Sequence, residues 1–188
     1  MGMAIEKTGI PDLWVVRPRV FEDDRGFFQE IYRRDTFAAA GLPDTFVQLN
    51  HSGSVRNTVR GLHFQWDPPM AKMMWVARGR ALMAAVDIRK NSPTLGKWFT
   101  VEGSEDSRVR LVAPPGFARG FCALSEWVEI QYLCTGTYNP QGESGILWND
   151  PAIGIPWPVP DPILSEKDRK AQTLAAWLER EESGRFTV

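Results

Sequence analysis

The chain has 188 residues, 22 Lys and Arg against 23 Asp and Glu, and a formal net charge of −1. That length suits one domain over residues 1–188 with enough chain for a real core; the charge balance argues against a dedicated nucleic-acid binder, and 43% hydrophobic content argues against disorder. Cys122 and Cys134 are too few for a disulfide framework and lack zinc-motif spacing, and with only His51 and His63 no three-histidine metal site forms within one chain.

The N-terminus has no apolar stretch of signal-peptide length, and Glu6 stands where a myristoylation motif wants Ser or Thr. No run of about 18 apolar residues exists, so the expectation is a soluble cytoplasmic protein without a membrane partner. Residues 35–40 read as a short helix stopped by Gly41. Leu82, Ala84, Val86 and Ile88 then alternate with Ala81, Met83, Ala85 and Asp87, a strand period. Arg78-Gly79 punctuates before it and Asn91-Ser92-Pro93 after it. Phe99 and Val101 alternate with Thr100 and Glu102. The turn residues 103–106 predict a hairpin into the Val109 and Leu111 strand. Val128, Ile130, Tyr132 and Cys134 share one face of a further strand. Strands separated by turn signals roughly every 8–12 residues indicate a sandwich or barrel. The Pro-rich residues 151–162 are expected to wrap over it, anchored by Ile153, Ile155 and Trp157. One C-terminal helix follows, with Ser165 as cap, Asp168 three residues on, and Ala171, Leu174, Ala175 and Leu178 as its buried face.

Among residues that carry chemistry, His63 lies in an apolar segment. It reads either as a hydrogen-bonded core histidine or as a general base, since imidazole titrates near neutral pH. Metal binding in small β-barrels usually needs histidines two residues apart, but Gly61 and Gln65 occupy those positions. Tyr132 reads either as a core tyrosine or as an acid inside a cavity, its proton made exchangeable by a neighbouring cation. Lys72, Arg60 and Arg25 read as solvated surface or as ligand contacts: arginine forks suit a diphosphate and a lysine suits a developing oxyanion. Strict alternation puts Arg60 and His63 on opposite faces, so a shared site requires a bulge at Gly61 or a strand that begins after Arg60.

Several runs together carry a resemblance. They are Arg25-Gly-Phe-Phe-Gln-Glu30, Gln48-Leu-Asn50, Val59-Arg-Gly-Leu-His-Phe-Gln65, Val86-Asp-Ile-Arg89 with Ser92-Pro-Thr94 and Gly96, and Pro115-Gly-Phe-Ala118 with Gly120-Phe121. Tyr132 with Tyr138, Asn149-Asp-Pro151 with Gly154-Ile155 and Trp157, and Ile163-Leu-Ser-Glu-Lys-Asp168 complete the series. In this order, from about residue 8 to 170, they resemble the dTDP-4-dehydrorhamnose 3,5-epimerase family.

The resemblance implies an all-β cupin fold, a double-stranded β-helix or jelly-roll barrel. It implies a homodimer that exchanges N-terminal strands, and neither metal nor other cofactor. The implied substrate is a dTDP-linked 4-keto-6-deoxy sugar on the way to L-rhamnose and surface polysaccharide. It also implies that His63 is the base with Asp168 holding its ring, that Tyr132 returns a proton from the opposite face, and that Lys72 stabilises the enolate. Arg25 and Arg60 would grip the nucleotide and its phosphates, and Tyr138 would stack on the base. Glu30, Gln48, Asn50, Glu143 and Lys167 would surround the ligand. One departure stands out: Arg119 occupies the position of a family histidine. A permanent cation there either takes over the histidine's ligand contact or limits the enzyme to one centre. A metal-dependent cupin and a non-catalytic sugar-binding barrel are the alternatives from other classes.

Overall fold

The computed structural model describes residues 2–186. The alternating segments become β1 (Met3–Lys7), β2 (Trp14–Pro18), β3 (Val20–Asp23), β4 (Gly26–Gln29), β5 (Gln48–Val55), β6 (Val59–Gln65), β7 (Lys72–Arg78), β8 (Arg80–Asp87), β9 (Trp98–Ser104), β10 (Arg110–Ala113), β11 (Phe117–Ala123), β12 (Trp127–Cys134) and β13 (Glu143–Gly145). They form a six-stranded sheet, β1-β2-β10-β7-β12-β5, and a five-stranded sheet, β13-β6-β11-β8-β9, with β3 and β4 paired on their own. Period-2 alternation sorts each strand's residues onto two faces. Val15, Met74, Leu111 and Ile130 of the first sheet meet Met83, Ala85, Phe117 and Phe121 of the second in the central core. This is the expected all-β cupin-type architecture.

The outer faces are covered separately. Residues 151–162 wrap as expected: Ile153 and Ile155 pack with Leu62, Phe64, Val86 and Trp177 on the five-stranded sheet. On the other sheet, Phe37 of α1 (Arg34–Ala39) packs with Leu42, Met73, Trp75 and Val112. Gly41, at φ +72°, takes the left-handed conformation after the helix.

Two expectations are corrected. Residues 103–106 do not close a hairpin: β9 pairs with β8, whereas β10 pairs with β2 and β7 in the other sheet. All four β10 residues are buried, and a strand buried on both faces needs a central slot rather than a place beside the edge strand β9. The C-terminal helix is also two helices, α2 (Glu166–Arg169) and α3 (Leu174–Glu179), followed by a 3-10 turn, Glu181–Arg185. The Asp150 carboxylate accepts the Leu174 N–H at 2.6 Å, and Thr173 caps α3 through the Ala176 N–H at 3.2 Å. This restart breaks the i, i+4 register, so Trp177 is buried beside Leu174 while Ala175 is exposed.

The 86–94 motif forms a buried ion-pair knot at the end of β8. Asp87 is fully buried and accepts hydrogen bonds from Arg89 Nε and Nη2 at 3.0 and 2.8 Å, and from Ser92 and Thr94 hydroxyls at 2.7 Å each. Arg89 also donates to Asp12 at 2.7 Å. Every charge there has a partner, as buried charges require.

Candidate active site

Alternation carried inward from both sheets builds a cavity of about 150 Å³ between them, lined by Ser52, Arg60, His63, Lys72, Met74, Arg119, Gly120, Phe121, Ile130 and Tyr132. His63 comes from β6 and Arg119 from its register partner on β11, both in the five-stranded sheet. Lys72 on β7 and Tyr132 on β12 come from the six-stranded sheet. The Lys72 Nζ lies 5.2 Å from the Tyr132 ring centroid.

The facing problem at Gly61 is resolved by a bulge. His63 pairs with Arg119 and Arg60 with Phe121, so β6 spends one more residue than β11 between the two pairs. Arg60 and His63 therefore face the same cavity. Gly61 has φ +130°, and a Cβ there would lie 2.6 Å from the Gly120 Cα, so the position requires glycine.

His63 Nε2 meets Asp168 Oδ1 at 2.5 Å. Nδ1 has no hydrogen bond among the described residues and is the ring nitrogen left for a ligand. The Ser165 hydroxyl donates to Asp168 Oδ2 at 2.8 Å and accepts the Asp168 N–H at 3.1 Å. Asp168 is thus both a helix-start residue and the orienter of the imidazole. Burial works against its charge, yet the bonds from His63 and Ser165 hold its carboxyl below the usual range.

Burial, with Cys134 and Glu143 nearby, pushes the Tyr132 phenol up. This corrects the expectation of a proton loosened by a cation: loss of hydration outweighs the neighbouring charge, so Tyr132 keeps its proton as a donor must. Burial and then the Arg119 charge pull Lys72 down to about 8. Arg119 is 5% exposed and pulled down to about 10 by burial. Its Nη1 donates to the Met70 carbonyl at 3.2 Å, while Nε and Nη2 are buried without partners.

A polar ladder flanks this cavity without lining it. Lys167 is ion-paired to Glu143, which lies beside Tyr138, and the Tyr138 N–H donates to Gln48 at 2.9 Å. Gln48 donates to Asn50 at 3.0 Å, and Asn50 to Cys134 Sγ at 3.8 Å. Tyr138 is 60% exposed. Two expected ligand residues lie elsewhere. Arg25 sits on the β3–β4 turn, paired with Asp23 at 2.6 Å, and Glu30 lies near Arg33, so neither lines the cavity. Arg25 belongs to the separate β3–β4 pair and Glu30 follows it directly. His51 is peripheral, half exposed, with Nε2 3.1 Å from Glu129.

Ser52, Met74 and Ile130 line the cavity without having been singled out. The signal was available, since each stands two residues from a flagged one (Asn50, Lys72 and Tyr132) and shares its strand face. Among the described residues, no three His, Cys, Asp or Glu side chains cluster closely enough to hold a metal ion.

A family model for dTDP-4-dehydrorhamnose 3,5-epimerase matches residues 7–176. A dTDP-4-dehydrorhamnose 3,5-epimerase of Salmonella typhimurium is 48% identical over 92% of this chain and 96% of its own length. The chain spans only 55% of the length of a relative of the same name from Neisseria gonorrhoeae, at 44% identity. A dTDP-4-dehydrorhamnose 3-epimerase of Streptomyces niveus is 39% identical over 92% of the chain and 84% of that protein. Among solved structures, a dTDP-6-deoxy-D-glucose-3,5-epimerase of Legionella pneumophila, in complex with dTDP-4-keto-L-rhamnose, superposes with TM-score 0.92. It is 37% identical and is matched over 97% of both chains.

Proposed function

Because the chain belongs to the dTDP-4-dehydrorhamnose 3,5-epimerase family, we propose that it inverts C3 and C5 of a dTDP-linked 4-keto-6-deoxy sugar, on the route to L-rhamnose. The observation that carries this reading is that His63 and Tyr132 line one cavity from opposite sheets. A sugar ring held between them has a base on one face and an acid on the other, which is what inversion requires.

The C4 ketone acidifies the hydrogens on C3 and C5 because the carbanion is delocalised as an enolate. With the ring substituents equatorial, those two hydrogens are axial on the same face, so one base serves both carbons. His63 Nδ1 takes the proton, and the Asp168 carboxylate balances the imidazolium. Lys72 stabilises the enolate oxygen. Tyr132 returns a proton from the other face and the centre is inverted. After each inversion His63 releases its proton to solvent and Tyr132 regains one from it, which resets both groups; no electron leaves or enters, so proton traffic completes the reaction.

Arg60 grips the phosphates at the cavity mouth. Tyr138 stacks on the base, and Gln48, Asn50, Glu143 and Lys167 surround the ligand. Arg25 and Glu30 act from a second protomer of a homodimer. Support comes from their displacement from their own cavity and from the exposed Phe21, Phe27 and Phe28 around Arg25. Mixing Arg25→Ala with His63→Asn protein tests this: shared sites regain activity, and no recovery would sink the dimer reading. No helix among the described residues is long and apolar enough to cross a membrane, and we assign the enzyme to the cytoplasm.

A second reading, inversion at one carbon only, is favoured by Arg119 in the family histidine's place. Incubation with dTDP-4-keto-6-deoxyglucose in deuterium oxide decides. Deuterium at C3 and C5 with both inverted supports the first reading, inversion at one carbon supports the second, and no exchange overturns the epimerase assignment.

A further inference from the structure

We propose that Arg119 is a second cation of the enolate subsite, sharing with Lys72 the oxygen that turns negative when His63 takes its proton. The inference rests on the epimerase reading above and concerns a residue that departs from the family pattern.

Strands of both sheets surround the guanidinium. From β6, the neighbouring strand brings His63 and Arg60; from β7 comes Lys72; from β12 come Tyr132 and Cys134. On the other flank β8 offers Ala84, Ala85 and Val86. Glu143 and Lys167 are close enough to act on Lys72. Asp168 is occupied by His63 and Ser165. Among the described residues no carboxylate is paired with Arg119, although it is 5% exposed, and its one hydrogen bond, to the Met70 carbonyl, leaves Nε and Nη2 unpartnered.

A buried cation without a counter-ion is costly, and proteins normally neutralise it. Here the missing negative charge is one that exists only during the reaction. A preorganised cation in a desolvated site stabilises that charge without reorganisation. Arg119 also differs from a histidine in staying charged through neutral and mildly alkaline pH, even after burial has pulled it to about 10. Lys72, by contrast, begins to lose its proton near pH 8. The two cations together keep the subsite positive over a wider pH range than either a lysine alone or a lysine with a histidine.

The test compares wild type, Arg119→Gln and Arg119→Lys by steady-state kinetics on dTDP-4-keto-6-deoxyglucose from pH 6 to pH 10, with dTDP affinity and circular dichroism as checks on the fold. Arg119→Gln is expected to lower kcat roughly 100-fold while KM and dTDP affinity change little. Its alkaline limb should move up, because Lys72 loses a repulsive neighbour. Arg119→Lys keeps charge and fold; its kcat should stay within about tenfold of wild type, with the alkaline limb moved down as a second ammonium titrates. Wild-type kcat in Arg119→Gln, a loss confined to KM, or an unmoved alkaline limb in both variants would overturn the inference and leave the epimerase reading standing. Wild type that binds dTDP but exchanges no deuterium at C3 or C5 would overturn both.

Discussion

Two arginines, 30 residues apart in the chain and both in or beside the five-stranded sheet, are buried in opposite ways. Arg89 closes a knot in which Asp87, Asp12, Ser92 and Thr94 satisfy every charge. Arg119 faces Lys72 and His63 with two guanidinium nitrogens unpartnered. The first arrangement is what a fold does with charge when stability is the only requirement. The second is a departure that stability alone does not explain, and it coincides with the cavity. Unsatisfied buried charge does not mark a working site by itself, since Arg110 on β10 is 1% exposed with Nε unpartnered and lies outside the cavity; what sets Arg119 apart is that its unpaired cation lines the cavity beside Lys72 and His63.

The largest effect expected is in the cavity. His63→Asn should lower kcat by about 10⁴-fold, roughly 5 kcal/mol of barrier, while the thermal midpoint scarcely moves; turnover near wild type would sink His63 as the base. Next comes the knot. Asp87→Asn strands a buried guanidinium and should cost about 3–5 kcal/mol in denaturant unfolding, with kcat per folded molecule unchanged. Arg119→Met sharpens the comparison by reversing the sign: removing an uncompensated cation should raise stability by about 1–3 kcal/mol while activity falls. Destabilisation of the size seen at Asp87 would show that Arg119 is a structural residue after all.

The two regions should also answer pH with the same sign but in different windows, the knot in acid and the cavity in alkali. Asp87 is held below its unfolded value, so its contribution is present above about pH 4 and is lost as pH falls through the folded value. Lys72 is lowered from 10.5 to about 8, so between those values the unfolded chain binds more protons and stability rises with pH. Unfolding at pH 7 and pH 9.5 should show this rise in wild type and lose it in Lys72→Met. The smallest effect is expected at the other histidine. His51→Asn, in an exposed pair with Glu129, should leave kcat and thermal midpoint unchanged, and a loss of activity would mean that the chain has two working imidazoles.

Much of this was legible in the residues. The alternation at Leu82 to Ile88 became β8, and the face shared by Val128, Ile130, Tyr132 and Cys134 became the inward side of β12. The requirement for a bulge at Gly61 came from the conflict between alternation and a shared site, and the extra residue in β6 meets it. The hairpin at residues 103–106 failed because turn chemistry is local and says nothing about which sheet receives the next strand. The single C-terminal helix failed because the Leu174 N–H donates to a distant carboxylate, Asp150, which restarts the helix there. The direction of the Tyr132 shift failed because burial is a property of the packed cavity and outweighs a nearby charge.

The amino-acid sequence by itself determined most strand faces and the family, and it narrowed any imidazole base to His51 or His63. It also determined that a permanent cation stands at position 119. These are matters of residue type and of a period-2 repeat, which neighbours along the chain are enough to set. Only the tertiary structure decided that the base and the acid come from opposite sheets, that Arg25 lies away from its own cavity, and that Arg89 is neutralised while Arg119 is not. Those outcomes depend on which distant strands pair and what each packed side chain meets.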